Sequence, residues 1–194
     1  LLGYAPQVQE AFVCSGFGTC ATVKNILARL DGGEPSPVVR LSLTTPSESR
    51  GAVMLSAHYD SVGAGPGASD DGTGVVTVLE TARALKLDPA PRHPVIFLFT
   101  DGEEAGLFGA RAFVAEHPWA REVRAGVNVD NRGSSGPSLM FETSDANRWL
   151  IRLFAATVKR PATSSLFYTL YKRLPNDTDF TVFRRAGIHG FNLA

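Results

Sequence analysis

Residues 95–107 read VIFLFTDGEEAGL, a run of five apolar residues followed by Thr100 and a cluster of acids. A continuous apolar run of this length is typical of a strand covered on both faces, as in a parallel sheet. Residues 52–57 and 125–129 repeat the pattern, and the polar residues His58, Asp60 and Asp130 follow them. Because ligands bind at the carboxyl ends of strands in such sheets, we expect these side chains to share one edge.

The segments around these strands complete an alternating pattern of strands and helices. Apolar residues at helical spacing predict helices over residues 19–30, 75–85, 107–116 and 147–158, and shorter strands are predicted over 38–43 and 139–141. This alternation predicts an α/β fold, a three-layer α/β/α sandwich with a largely parallel mixed sheet. The length of 194 residues suits one compact domain over residues 1–194.

Composition narrows the class of protein. Hydrophobic residues make up 44% of the chain, and 19 basic residues balance 19 acidic ones, which argues against a nucleic-acid partner. No segment approaches the roughly 18 apolar residues that a membrane span requires. The chain begins at Leu1 rather than methionine and ends in the strand-like run GIHGFNLA. We therefore expect a piece of a longer polypeptide, incomplete at its C-terminus.

The two cysteines, Cys14 and Cys20, enclose a short loop that contains Gly16 and Gly18. They form either a disulfide, which needs an oxidising compartment, or two free buried thiols. The stretch GFGTCA over residues 16–21 mimics a dinucleotide-binding fingerprint that opens a helix. No ribose-binding acid follows it on a later strand, so we interpret it as a turn.

The polar residues at the predicted strand ends combine one histidine with several carboxylates, a donor set suited to zinc. A fourth set lies in GASDDGTG, residues 67–74, a loop that opens a helix. A pair of metals needs a carboxylate that bridges them. Adjacent side chains at Glu103 and Glu104 diverge in an extended turn, so one can bind metal while the other moves a proton. Burying so many acids without cations would cost several kcal/mol for each charge.

Four stretches together resemble the M28 family of zinc aminopeptidases. They are HYDS at 58–61, GASDDGTG at 67–74, DGEEAGL at 101–107 and VNVD at 127–130, in the family's order and spacing. The resemblance implies the zinc-exopeptidase type of fold and a site with two zinc ions. It implies that His58 and Asp130 hold one zinc, that Glu104 holds the other, and that Asp70 bridges them. Glu103 would then be the general base, with Asp60 as a further catalytic residue that fixes the tautomer of His58.

The tail over residues 174–194, including LPNDTDF at 174–180, resembles one subgroup of this family. That subgroup contains endoplasmic-reticulum and vacuolar membrane metallopeptidases and their bacterial relatives. The resemblance implies an extracytoplasmic setting, such as a periplasm or an organelle lumen. It also implies membrane-spanning segments outside this chain. Such a setting agrees with a disulfide between Cys14 and Cys20.

One family ligand has no match in this sequence. The second zinc of the family takes a histidine from a loop after the strand that here ends the chain. His93 precedes a strand, His117 ends a surface helix, and His189 begins its strand, so none of the three is in the required place. We expect the ligand to lie beyond residue 194 and the chain as given to hold its second metal weakly or not at all.

Several side chains have structural alternatives. Asp71 is expected to cap the helix that starts near Gly72, which leaves Asp70 for metal. Asp177 either caps the helix that begins near Asp179 or contacts substrate. Arg132 and Tyr171 are weaker candidates for substrate contact.

The expected reaction is hydrolysis of N-terminal peptide bonds, with peptide or protein N-termini as substrates. No His-Glu-x-x-His helix and no Gly-x-Ser-x-Gly elbow occurs, so neither a single-zinc endopeptidase nor a serine hydrolase is supported. Two alternatives stay open: a single-zinc acyltransferase similar to glutaminyl cyclase, and a non-catalytic, receptor-like ectodomain.

Overall fold

The computed structural model describes residues 3–16, 18–33, 51–131, 136–174 and 177–194. The strand predicted over 38–43 and the candidate Arg132 lie outside these ranges. Within these ranges, seven strands form one mixed sheet in the order β1-β2-β4-β3-β5-β7-β6. The strands are β1 Gln7–Cys14, β2 Cys20–Leu30, β3 Ala52–His58, β4 Val95–Thr100, β5 Val123–Val129, β6 Met140–Thr143 and β7 His189–Leu193; the helices are α1 Gly72–Leu87, α2 Phe108–Glu116, α3 Arg148–Thr157, α4 Ser165–Tyr171 and α5 Asp179–Arg185.

The four central strands are parallel, and the pairs at both edges are antiparallel. Helices cover both faces of the sheet. On one face, α2 and α5 contribute Phe113, Phe180 and Phe183 to a core cluster with Met54 of β3. On the other, α1 packs Val78 and Ala82 against β4, and Phe154 of α3 stacks edge-on against Phe191 of β7. The predicted three-layer α/β/α sandwich is therefore confirmed.

The helix predicted over residues 19–30 is wrong, because β2 occupies this segment. Burial alternates along it: Val23, Asn25 and Leu27 are buried, whereas Ile26 is 40% exposed. The polar Asn25 hides this period of two in the sequence. It is tolerated in the core because its amide donates hydrogen bonds to Gln9 and to the backbone of Gly109.

A hairpin joins β1 to β2, and Cys14 pairs with Cys20 at its end. The two cysteines form a disulfide in the structure. The glycine-containing segment between them is the hairpin turn, so it opens a strand and not a nucleotide-binding helix. Phe17 lies outside the described residues.

The strand ends are aligned by the parallel register. His58, the last residue of β3, pairs with Thr100, the last residue of β4, and Ser56 pairs with Asn128 near the end of β5. Side chains that follow these strands therefore meet at one edge of the sheet, as the sequence predicted.

Candidate metal centre

His58 is almost fully enclosed, with 2% of its side chain exposed. Its Nδ1 atom lies 3.0 Å from the backbone oxygen of Asp60. Because a carbonyl oxygen can only accept a hydrogen bond, Nδ1 carries the hydrogen, and in the neutral imidazole Nε2 is left with a free electron pair. The turn after β3 thus sets the tautomer that a metal ligand at Nε2 requires.

Two acids face the Nε2 atom of His58. Asp70 Oδ1 lies 3.0 Å away and Asp130 Oδ1 lies 3.9 Å away. All three ligand atoms lie within 4.8 Å of one another. Ligand atoms around a tetrahedral zinc, with bonds of about 2.0–2.1 Å, are roughly 3.3 Å apart, so this set fits one zinc ion. His58 Nε2 and Asp70 Oδ1 are both acceptors in this tautomer, so at 3.0 Å they need a cation or a proton between them.

A second group of donors shares His58 and adds Glu103 and Glu104, again with ligand atoms within 4.8 Å of one another. The loop after β4 brings both glutamates to the site. Its turn is held by the carboxylate of Asp60, which accepts hydrogen bonds from the backbone N–H of Glu103 at 3.0 Å and of Glu104 at 3.2 Å. Asp60 therefore supports the two glutamates with its side chain and His58 with its backbone.

Asp71 caps α1, as the sequence predicted, by accepting a hydrogen bond from the backbone of Gly74 at 3.1 Å. Its carboxylate also accepts from the backbone N–H of His58 and of Asn131, each at 3.3 Å. This one buried side chain is thus hydrogen-bonded to the end of β3, to the residue that follows β5 by two positions, and to the start of α1. Asp70 is left to face the histidine.

Asp179, the first residue of α5, joins this edge of the sheet from a distant part of the sequence. It is 1% exposed, and its Oδ2 accepts a hydrogen bond from the hydroxyl of Thr100 at the end of β4. Its Oδ1 is buried and has no hydrogen-bond partner among the described residues. The sequence predicted Asp179 only as the start of a helix.

The electrostatics of the site reflect a concentration of buried negative charge. Burial raises the pKa of Glu103 to about 9, and the charges of Asp179 and Asp130 add to this effect. Burial likewise raises the pKa of Asp130 to about 8. For His58, burial favours the neutral form, but the Asp60 carboxylate, whose Oδ1 lies 3.5 Å from Nδ1, and the surrounding acids outweigh burial and raise the pKa to about 10. A bound cation would stabilise the charged form of these buried acids.

The other candidates lie elsewhere. Asp177 is exposed, and its carboxylate pairs with Arg185 at 3.1 Å, while Thr178 takes the N-cap position of α5. Tyr171 is buried and stacks against Phe141. His189 begins β7, at the opposite end of the strand from the metal centre.

Comparisons with known proteins identify the family and support the fold. The sequence model of the family described as Peptidase family M28 matches residues 38–194. The chain belongs to peptidase family M28. Endoplasmic reticulum metallopeptidase 1 of Mus musculus is 37% identical over 161 residues, which cover 81% of this chain and 18% of the relative. A vacuolar membrane protease of Yarrowia lipolytica is 36% identical over 160 residues, which cover 81% of this chain and 16% of the relative.

The M28 chain thus spans less than a fifth of the length of these two relatives. Solved structures support the fold. A glutaminyl cyclase of Porphyromonas gingivalis superposes with a TM-score of 0.66 at 21% identity, over 99% of this chain and 68% of that one. A Zn-dependent exopeptidase of Parabacteroides distasonis superposes with a TM-score of 0.64 at 18% identity, over 99% of this chain and 70% of that one. In the described part of this chain, no helix has the length and apolar character needed to cross a bilayer.

Proposed function

We propose that this M28 domain is a zinc-dependent aminopeptidase that hydrolyses the N-terminal peptide bond of peptides or proteins at a two-zinc site. The observation that carries the proposal is the pair of donor groups that share His58 at one edge of the sheet. The M28 match and the metallopeptidase named among the relatives support it.

His58 and Asp130 would hold one zinc, Glu104 would hold the other, and Asp70 would bridge them. The charge of Asp70 contributes to the raised pKa of Glu104, after burial, which is consistent with two neighbouring carboxylates. When bound, the zinc ions supply Lewis-acid polarisation of the scissile carbonyl and a lower pKa for the attacking water. A last ligand for the second zinc is expected outside the present sequence.

Glu103 is the proposed general base. It is adjacent to Glu104, and both backbone N–H groups are fixed by Asp60, so the two carboxylates keep separate tasks. Glu103 would accept a proton from the attacking water and deliver it to the leaving amine. Asp60 would keep both His58 and Glu103 in place during this transfer.

The proposed setting is extracytoplasmic and membrane-associated. The disulfide between Cys14 and Cys20 supports an oxidising compartment. One of the relatives described above is named a membrane protease. Any membrane-spanning segment would lie outside the described residues.

The first test replaces Glu103 with Gln in the native polypeptide that contains this domain. We expect hydrolysis of an aminoacyl-p-nitroanilide to fall by at least about 100-fold, because general acid–base catalysis contributes roughly 10²–10⁴-fold. Zinc content, measured by elemental analysis, should stay at the parent value. Glu116→Gln, an exposed glutamate at the end of α2, is the matched control and should keep full activity.

Two further substrates separate the alternatives. An N-acetylated peptide should resist cleavage, because an aminopeptidase requires a free N-terminus. A peptide that begins with Gln should be hydrolysed, whereas conversion to a pyroglutamyl peptide would favour the cyclase alternative suggested by the fold of the Porphyromonas gingivalis enzyme. Absence of stoichiometric zinc and of both activities would favour the non-catalytic ectodomain. Unchanged turnover in Glu103→Gln would remove the base assignment.

A further inference from the structure

A buried carboxylate outside the metal centre connects the edge strand β6 to α5. Glu142 of β6 is 2% exposed. Its Oε2 accepts a hydrogen bond from the Thr178 hydroxyl at 3.0 Å, and its Oε1 accepts one from the Thr181 hydroxyl at 3.1 Å. Arg184 Nε lies 3.3 Å from Oε1. All three partners belong to α5 or its N-cap, so one side chain contacts both ends of this short helix.

These contacts fix the first turn of α5. Thr181 Oγ1, which donates to Glu142, also accepts a hydrogen bond from the backbone N–H of Thr178 at 3.2 Å. The capping interaction and the contacts with Glu142 therefore share atoms, and neither can shift without the other. Phe180 and Phe183 bury the other face of α5 in the core. Those apolar contacts hold the helix on the sheet, whereas the polar contacts set the rotation and position of its first turn.

The first residue of that turn is Asp179, which accepts the hydrogen bond from Thr100 at the end of β4. The loop that begins after Thr100 carries Glu103. We infer that Glu142 is a positioning residue for the proposed peptidase reaction: it holds the start of α5 so that Asp179 braces the end of β4 and the loop that presents Glu103. Glu142 acts through α5 and touches neither substrate nor metal. This inference rests on the proposed function.

The test compares Glu142→Ala with Glu142→Gln in the native polypeptide. Gln keeps an oxygen acceptor at this position, so it should retain kcat within about threefold. Ala removes both acceptors, and misplacement of catalytic groups by about 1 Å can lower rates by up to about 10²-fold. We expect kcat of Glu142→Ala to fall roughly 10- to 100-fold, with KM within about twofold and zinc content unchanged. Glu122→Ala, which removes an exposed partner of Arg29 at the far end of β5, should match the parent.

Hydrogen exchange gives a readout that needs no activity. The amides of residues 179–183 should exchange at least about tenfold faster in Glu142→Ala than in the parent and in Glu142→Gln. Unchanged hydrogen exchange in Glu142→Ala would overturn the inference that Glu142 fixes the first turn of α5. Equal losses of kcat and thermal stability in the Ala and Gln variants would show a general structural role and overturn positioning.

Failure of the inference is distinct from failure of the proposed function. A parent protein with no peptidase activity refutes the function and the catalytic part of this inference together. An active parent whose Glu142→Ala variant keeps its kcat overturns the inference alone.

Discussion

Asp179 offers a direct test of the idea that the metal centre places acids where the fold disfavours their charge. Burial raises the pKa of Asp179 from 3.8 to about 6, although its hydrogen bond from Thr100 opposes the change. The native state therefore binds more protons than the unfolded state between these two values, and the free energy of unfolding falls as the pH rises through this window. The difference of about two pH units corresponds to about 3 kcal/mol, because one unit is worth 1.36 kcal/mol.

Replacing Asp179 with Asn removes this pH-dependent loss. We expect the free energy of unfolding of Asp179→Asn, minus that of the parent, to increase by about 3 kcal/mol between pH 4 and pH 8. Urea unfolding at both pH values, with chelator present, gives this difference. Asp177→Asn is the matched control, because Asp177 is exposed two residues away and its variant should stay within about 0.5 kcal/mol of the parent. A difference for Asp179→Asn that is the same at pH 4 and pH 8 would refute the reasoning.

Three further predictions concern the scaffold and the metal. In Gly190→Ala, the new methyl group would overlap the backbone oxygen of Gly126 on the neighbouring strand. The free energy of unfolding, measured in urea, should therefore fall by about 3 kcal/mol or more. Gly16→Ala is the control and should be near neutral, because its methyl group would meet no atom within 4 Å. Reduction of the disulfide between Cys14 and Cys20, separated by six positions, should lower the free energy of unfolding by about 2 kcal/mol, measured with and without reductant. Free zinc at 100 times its dissociation constant should stabilise the chelated protein by about 2.7 kcal/mol, and no shift in a zinc titration would contradict the metal centre.

How much of the fold and of the site can be predicted from the sequence depends on how far apart the interacting residues lie along the chain. The runs before His58, Asp101 and Asp130 are mostly apolar, so both the strands and the polar ends of those strands were predictable. The segment of β2 was not, because Asn25 interrupts its apolar alternation, and the partners that satisfy this buried amide lie on β1, on α2 and at Asp101 after β4.

The partners of α5 were also beyond sequence reasoning. Thr100 and Asp179 are 79 residues apart, and Glu142 and Thr178 are 36 residues apart. No spacing rule connects such positions, because the sheet order brings them together. The motifs therefore predicted the residues that meet at this edge of the sheet, whereas the residues that hold them in place required the fold.

The position of Asp179 also indicates why this edge of the sheet would keep an acid that weakens the metal-free fold. Its charge is one of those that, after burial, raise the pKa of Glu103. Bound zinc would lower the pKa of Glu103, and the charge of Asp179 would oppose that change and keep Glu103 basic enough to accept a proton from water. The charge that destabilises the native state thus supports the proposed proton transfer. Asp179→Asn should therefore be more stable at pH 8 and slower in catalysis. A variant that gained stability and kept its kcat would separate the two effects and leave Asp179 with a purely structural role.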